Sequence, residues 1–172
     1  CNAPLAEGKG WMYEGGTREP LVIKLPGVIK AGSESDTVTT TPDIYPTVLE
    51  ACGLDAQPQQ HCDGKSIMPV LKGDQSFERG PVFWHYPHYG NQGNAPTAAV
   101  REGDWKLIEW YEDNRKELFN LREDIGEKNN LTKKYPDKVN ILAAKLAAWR
   151  KQTGARMPTP NTKFDPNKRE GR

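Results

Sequence analysis

The sequence predicts an α/β chain in which one strand and one helix precede a four-stranded antiparallel sheet with a C-terminal helix. Three observations predict it. The segments "PVFWHYP", "TAAVRE", "WKLIEWYE" and "KELFNL" are rich in β-branched and aromatic residues and are punctuated by turn signals at Gly103-Asp104 and Asp113-Asn114. The segment "PDKVNILAAKLAAWRKQTG" repeats Val139, Leu142, Leu146 and Trp149 on one helical stripe. Ahead of these, "PLVIKLPG" and "TTPDIYPTVLEACG" supply a single strand and a single helix, too little to form a parallel sheet unaided.

The strand at 20–27 reads as short and buried, stopped by Pro26-Gly27. In the helix that follows, Thr41 caps, Pro42 suits the first position, Asp43 favours the positive dipole end, and Gly53 closes it. Tyr45, Leu49 and Cys52 form its expected apolar face. A turn-rich stretch with a short apolar segment at 67–71 leads to a boundary near Arg79, dividing the chain into 1–78 and 79–172. In the third sheet segment Trp105, Leu107 and Tyr111 alternate with Lys106, Ile108 and Trp110, so both faces carry aromatics and at least one must be covered. The helix over 136–153, started by Pro136 and Asp137, is the available cover, and the remaining residues read as an extended tail. Residues 1–78 need partner strands these residues do not supply, which predicts a preceding portion of polypeptide.

The composition excludes several classes. With 172 residues, 35% hydrophobic, 16 Gly and 14 Pro, the chain has a lean core and much loop. A net charge of +1 lacks the basic excess of a general nucleic-acid binder. No apolar run reaches membrane-spanning length, and "CNAPLAEGKG" is not a signal peptide. Cys1, Cys52 and Cys62 leave the redox compartment open: Cys52 and Cys62 either pair or are small buried thiols.

The densest chemical signal is "EGKGWMYEGGTREP" at 7–20, with Gly8, Gly10, Gly15 and Gly16 around Lys9. A phosphate-binding loop of the Gly-x-x-x-x-Gly-Lys-Ser/Thr type fails because Gly10 follows Lys9. A dinucleotide loop fails because Tyr13 takes the third glycine's place and no strand precedes it. What remains is an ammonium on a compact loop whose glycines let an anion approach, suited to a tetrahedral oxyanion such as sulfate or phosphate; a plain surface turn is the other reading.

"NAPLAEGKGWMYEGGTREP" resembles the segment of type I sulfatases that carries their active-site lysine. "DIYPTVLEACG", "DGKSIMPVLKG", "VFWHYPHY", "AVREGDWKLI", "ELFNLREDIGEKNNL" and "PTPNTKFDP" resemble that family's following segments, in order and over nearly the whole chain. The resemblance implies an alkaline-phosphatase-like α/β fold, with 1–78 the end of the mixed-sheet catalytic domain and 79–172 a C-terminal subdomain. It implies that Lys9 contacts the sulfate group. Glu14, Arg18 and Glu19 share the motif and read as buried or semi-buried ion pairing that fixes the loop. The implied substrate is a sulfated carbohydrate or aryl sulfate, and the implied location is periplasmic or extracellular, lysosomal in a eukaryote.

The family's nucleophile is a formylglycine made within Cys/Ser-x-Pro-x-Arg, and calcium polarises the sulfate. No Cys or Ser here begins that motif, and no calcium cage is legible, since "EWYED" reads as a hairpin end. Both cofactors are therefore implied for a whole enzyme whose other portion holds their ligands, and this chain alone is expected to be inactive. "HYPHYGN" brings His85 and His88 together with Tyr86, Tyr89 and Asn91. Pro87 forbids a helix there and no third ligand is near, so metal is disfavoured. The resemblance places this loop at the mouth of the active site, with His88, His85 and Asn91 as substrate-binding candidates, against a packed aromatic cluster holding one satisfied histidine. His61 and Arg101 read as structural, and Asn130-Leu131-Thr132 is a sequon of use only in a eukaryotic secretory protein. Two rivals are a related phosphonate or phosphodiester hydrolase and a non-catalytic carbohydrate-binding module built on the aromatic sheet.

Overall fold

The computed structural model describes residues 2–163. Four strands, β1 (Val82–Tyr86), β2 (Thr97–Glu102), β3 (Trp105–Trp110) and β4 (Lys116–Asn120), form one antiparallel sheet in the order β1-β2-β3-β4. The two-residue turn between β2 and β3 places Gly103 at φ 57°, and the turn between β3 and β4 places Asn114 at φ 57°. These are left-handed positions that glycine and asparagine accept at least cost. Arg101 Nε donates to the Gly103 carbonyl at 3.2 Å, the structural role expected of it.

Helices are α1 (Glu14–Thr17), α2 (Ile44–Ala51, preceded by a 3-10 turn Thr41–Asp43), α3 (Met68–Leu71) and α4 (Pro136–Gln152). In α4 the expected stripe faces inward: Leu142 and Leu146 are buried, and Trp149 stacks on Phe83 of β1 with centroids 5.1 Å apart. Arg150 in its last turn pairs with Glu109 of β3 at 2.9 Å, a cation at the negative end of the helix dipole.

The other sheet face carries Ala99, Ile108, Trp110 and Phe119, joined there by Met12, with Trp11, Tyr13 and Trp84 packed alongside. The glycine-rich lysine segment thus supplies the second cover for the aromatic sheet. By contacts the chain divides into two compact units: Cys1–Thr17, Phe83–Val100 and Lys106–Arg172 in one, Arg18–Val82 and Arg101–Trp105 in the other.

Several expectations do not hold. Residues 20–27 are not a strand: Leu21 is half exposed and Val22 is 92% exposed. No strand among the described residues lies beside them to complete their backbone hydrogen bonds. The buried face of α2 is not Tyr45, Leu49 and Cys52 but Pro46 and Thr47, next to Asp43. The reason is polar. Asp43 accepts from the backbone N–H groups of Lys65 (2.8 Å) and Thr40 (2.7 Å) and pairs with Arg79 (2.9 Å). Thr47 Oγ1 accepts from Ile67 N–H at 3.0 Å and donates to the Asp43 carbonyl at 2.6 Å. The 64–67 segment docks through its backbone and draws that polar face inward, leaving Tyr45 and Val48 exposed. Cys52 and Cys62 are neither paired nor buried; both are free and exposed. Arg18 and Glu19 are exposed rather than semi-buried. The part of the extended tail over 164–172, and Cys1, lie outside the described residues.

Candidate functional site

The loop carrying Lys9 is folded tightly upon itself. Trp11 N–H donates to the Gly8 carbonyl at 3.0 Å and Gly15 N–H to the Ala6 carbonyl at 2.9 Å. A Cβ on Gly15 would come within 2.2 Å of the Ala6 oxygen, and one on Gly16 within 2.1 Å of the Trp11 oxygen. Only glycine fits at either position. Trp11 meets Trp110 edge-on at 6.4 Å, and Tyr13 lies 6.2 Å from Phe119. Tyr13 Oη donates to Glu117 at 2.7 Å, and burial together with that carboxylate pushes the phenol well above the usual tyrosine range.

A buried ion cluster anchors the same loop. Lys106 Nζ, fully buried on β3, lies 2.9 Å from Glu14 Oε1 and 3.1 Å from Glu127 Oε1 and donates to Thr17 Oγ1 at 3.3 Å. Glu127 Oε2 accepts from the Glu14 N–H at 2.6 Å. Two carboxylates thus share one ammonium, and burial, offset by Lys106, raises the Glu127 carboxyl above its ordinary range. The expectation that Glu14 fixes the loop by ion pairing is met. Lys106 and Glu127 were not legible as its partners, although a lysine in register with Ile108 and Trp110 signals a carboxylate opposite.

Lys9 itself is exposed, and among the described residues its amine forms no hydrogen bond or ion pair. The next residue, Gly10 (φ 93°), brings the loop against the turn after the histidines. A Cβ there would lie 2.9 Å from Gln92 Oε1 and 3.5 Å from Asn94 Oδ1. Gly93 packs beside Trp11 in the same way, at 3.7 Å. The lysine loop and the histidine loop are neighbours.

Within the histidine loop, His88 and Asn91 are exposed. The His88 ring meets Tyr86 edge-on at 5.4 Å, and Tyr89 Oη donates to Glu112 at 2.6 Å. His85 has both ring nitrogens occupied: Nδ1 lies 2.7 Å from Tyr111 Oη and Nε2 2.9 Å from the Arg156 carbonyl. A carbonyl only accepts, so Nε2 carries the proton. Tyr111 Oη accepts from Arg150 Nη1 at 3.1 Å and donates to Nδ1. Burial raises the Tyr111 phenol, which suits its role as a proton-bearing donor. His85 is therefore the satisfied histidine of an aromatic cluster in this structure. His61 likewise accepts from Gln57 N–H at 3.0 Å. The Asn130 amide of the sequon is used internally, accepting from Leu118 N–H at 3.2 Å and donating to the Lys116 carbonyl at 3.3 Å.

The described residues do not fit a calcium cage. No group of three or more His, Cys, Asp or Glu is arranged to hold a cation among them. The buried carboxylates Glu14 and Glu127 are held by Lys106, and Asp43 by Arg79. A polar pocket lined by Glu34, Ser35, Asp36, Thr37 and Gln75 has the wrong charge for a sulfate.

The four-stranded sheet with its C-terminal helix is the fold of the C-terminal region of alkaline-phosphatase-like sulfatases. The family described as N-sulphoglucosamine sulphohydrolase, C-terminal, matches residues 7–152, and the chain belongs to it. A sulfatase of Formosa agariphila is 39% identical over 163 residues, which covers 86% of this chain and 30% of that protein. N-acetylglucosamine-6-O-sulfatase of Bacteroides thetaiotaomicron is 32% identical, covering 84% and 27%. Human arylsulfatase K is 33% identical, covering 78% and 26%. Among solved structures, Ps i-CgsB in complex with k-i-k-neocarrahexaose superposes with a TM-score of 0.73 at 28% identity, over 87% of this chain and 32% of that one. A protein in complex with its substrate D-glucosamine-2-N,6-O-disulfate does so with a TM-score of 0.67 at 28% identity, over 80% and 29%. The chain thus spans less than a third of the length of these relatives. No helix of the described residues is long and apolar enough to cross a membrane.

Proposed function

We propose that this chain is the C-terminal part of a sulfatase that hydrolyses sulfate esters of a sulfated carbohydrate or an aryl sulfate. The observation that carries this reading is the pairing of loops: an exposed Lys9 amine, without a polar partner among the described residues, on a tight glycine-rich turn packed against the loop of His88 and Asn91. An ammonium in that position binds a sulfo group as a point charge and neutralises charge that grows on its oxygens as the S–O bond breaks. His88 and Asn91, exposed on the neighbouring loop, offer hydrogen bonds to the sugar or the leaving oxygen. His85, at the start of the same loop, is held by Tyr111 and the Arg156 carbonyl and would meet substrate only by exchanging one of those bonds. In the whole enzyme, residues 1–78 belong to the catalytic domain and 79–172 to the C-terminal subdomain. Formylglycine and calcium are supplied by residues outside this chain, in a periplasmic, extracellular or lysosomal protein.

The test uses the protein expressed from its complete reading frame, with p-nitrophenyl sulfate and sulfated sugars as substrates. Lys9→Ala is expected to lower kcat/KM by about 10²–10³-fold on every sulfate ester, the typical loss on removing one preorganised electrostatic group. Its thermal midpoint stays near wild type, because Lys9 is exposed and its amine forms no hydrogen bond or ion pair among the described residues. Unchanged turnover would show that Lys9 has no role at the sulfate.

A further inference from the structure

Asn94 is a buried carboxamide with no structural employment. It is 4% exposed, and neither Oδ1 nor Nδ2 has a hydrogen-bond partner among the described residues. Its Oδ1 occupies the space that a Cβ on Gly90 would need, 1.8 Å away, and lies beside Gly10. It therefore sits where the lysine loop meets the histidine loop. An unsatisfied amide destabilises a fold that an apolar side chain of similar shape would not. The layer above it is thin. The 90–94 turn is closed by two backbone bonds, Gly90 N–H to the Asn94 carbonyl and Gly93 N–H to the Gly90 carbonyl, each 3.1 Å. Asn91, Gln92 and Gly93 are exposed, and the Gln92 side chain reaches back to Gly10 beside Asn94.

We propose that Asn94 is a specificity-determining residue that hydrogen-bonds a sugar hydroxyl of the sulfated substrate once the ligand displaces the Gln92 side chain from Gly10. A carboxamide presents a donor and an acceptor side by side, and a hydroxyl both accepts and donates, so one sugar hydroxyl satisfies what the protein leaves unsatisfied. A site that has desolvated a polar group for a hydroxyl discriminates strongly against ligands that lack one. This assignment rests on the sulfatase reading of Lys9 and adds to it the carbohydrate as the recognised part.

The experiment compares wild type, Asn94→Leu and Asn94→Ala in the complete protein. One substrate is p-nitrophenyl sulfate, which has no sugar hydroxyl; the others are D-glucosamine-2-N,6-O-disulfate and a panel of sulfated mono- and disaccharides. Both variants are expected to lose roughly 10- to 100-fold in kcat/KM on the sugar that wild type cleaves, the worth of one desolvated hydrogen bond. Aryl sulfate turnover should stay within about two-fold. Asn94→Leu should melt at or above the wild-type temperature, since it removes an unsatisfied group. Equal losses on both substrates, undiminished sugar turnover, wild-type activity confined to the aryl sulfate, or a lower melting temperature for Asn94→Leu each overturn the assignment. In all of these wild type still cleaves sulfate esters, so the sulfatase reading stands, and the role of Lys9 is decided separately by Lys9→Ala. A wild type that cleaves neither substrate overturns that reading, and this one with it.

Discussion

Lys106 stands where the alternation of β3 calls for an apolar side chain, and its amine is fully buried. Such a lysine is tolerable only because two carboxylates meet it, and they come from Glu14 and Glu127, 92 residues before it and 21 residues after it. Removing the ammonium strands two buried carboxylates. Lys106→Met should therefore cost about 3–5 kcal/mol, read as a shift in the denaturant midpoint. The carboxylates are in excess by one, so Glu127→Gln should be far milder. It keeps an oxygen for the Glu14 N–H and leaves Glu14 and Lys106 balanced. The pH dependence has a definite sign. The Glu127 carboxyl is raised on folding, so the folded state holds its proton more tightly than the unfolded chain. Its contribution is full below the ordinary carboxylate range and lost as pH rises through the elevated value. Thermal midpoints of wild type and Glu127→Gln between mild acid and neutrality should differ in slope: wild type loses part of its stability as pH rises, and the variant lacks that part. Parallel slopes would remove Glu127 as the titrating group. The sequence made one member of this cluster legible. Glu14 lies in a motif whose charge demands a partner, whereas the partners are set by tertiary pairing across 92 and 113 residues, which no local period encodes.

The same contrast separates the elements. The four strands were legible from β-branched and aromatic composition, α4 from its apolar stripe, and the β2–β3 and β3–β4 turns from Gly103 and Asn114, which sit in the left-handed region. "LVIKL" carries the composition of a strand yet lies exposed, because strand pairing is a property of two segments and composition describes one. α2 misleads for another reason. Its apolar spacing points one way, but Asp43 and Thr47 satisfy backbone donors of Lys65 and Ile67, and those bonds orient the helix. The site follows this pattern. Lys9 and the histidines are visible as types in a motif, whereas Asn94 is conspicuous only once its burial and empty hydrogen-bond capacity are seen. The packing of α4 offers a direct check. Leu146 is wholly buried, so Leu146→Ala should cost about 2–5 kcal/mol. Ile141→Ala, on the half-exposed side of the same helix, should cost well under half as much in the same denaturation assay. Equal losses would mean that the inner face is misassigned.

At the scale of the molecule, the lysine loop and the aromatic sheet form one folded piece. Trp11, Met12 and Tyr13 are fixed on Ile108, Trp110 and Phe119, and Glu14 is held by Lys106 of β3. On our reading, the sheet region sets where the catalytic-site lysine stands, so damage to the sheet should appear as lost turnover even far from Lys9. Binding one sulfate oxygen is nevertheless a small fraction of sulfate ester cleavage. That reaction also needs a nucleophile at sulfur and a means of carrying the negative charge of the leaving oxygen. Neither Cys52, Cys62 nor any serine begins the Cys/Ser-x-Pro-x-Arg motif, and the buried carboxylates are committed to Lys106 and Arg79. The purified 172-residue chain, shown to be folded by circular dichroism, should therefore release no p-nitrophenol from p-nitrophenyl sulfate above the uncatalysed rate, with or without added calcium. The protein from the complete reading frame should do so and lose that activity on Lys9→Ala. Turnover by the chain alone, surviving repurification and abolished by Lys9→Ala, would mean that these residues contain a nucleophile after all, and the division of labour proposed here would have to be redrawn.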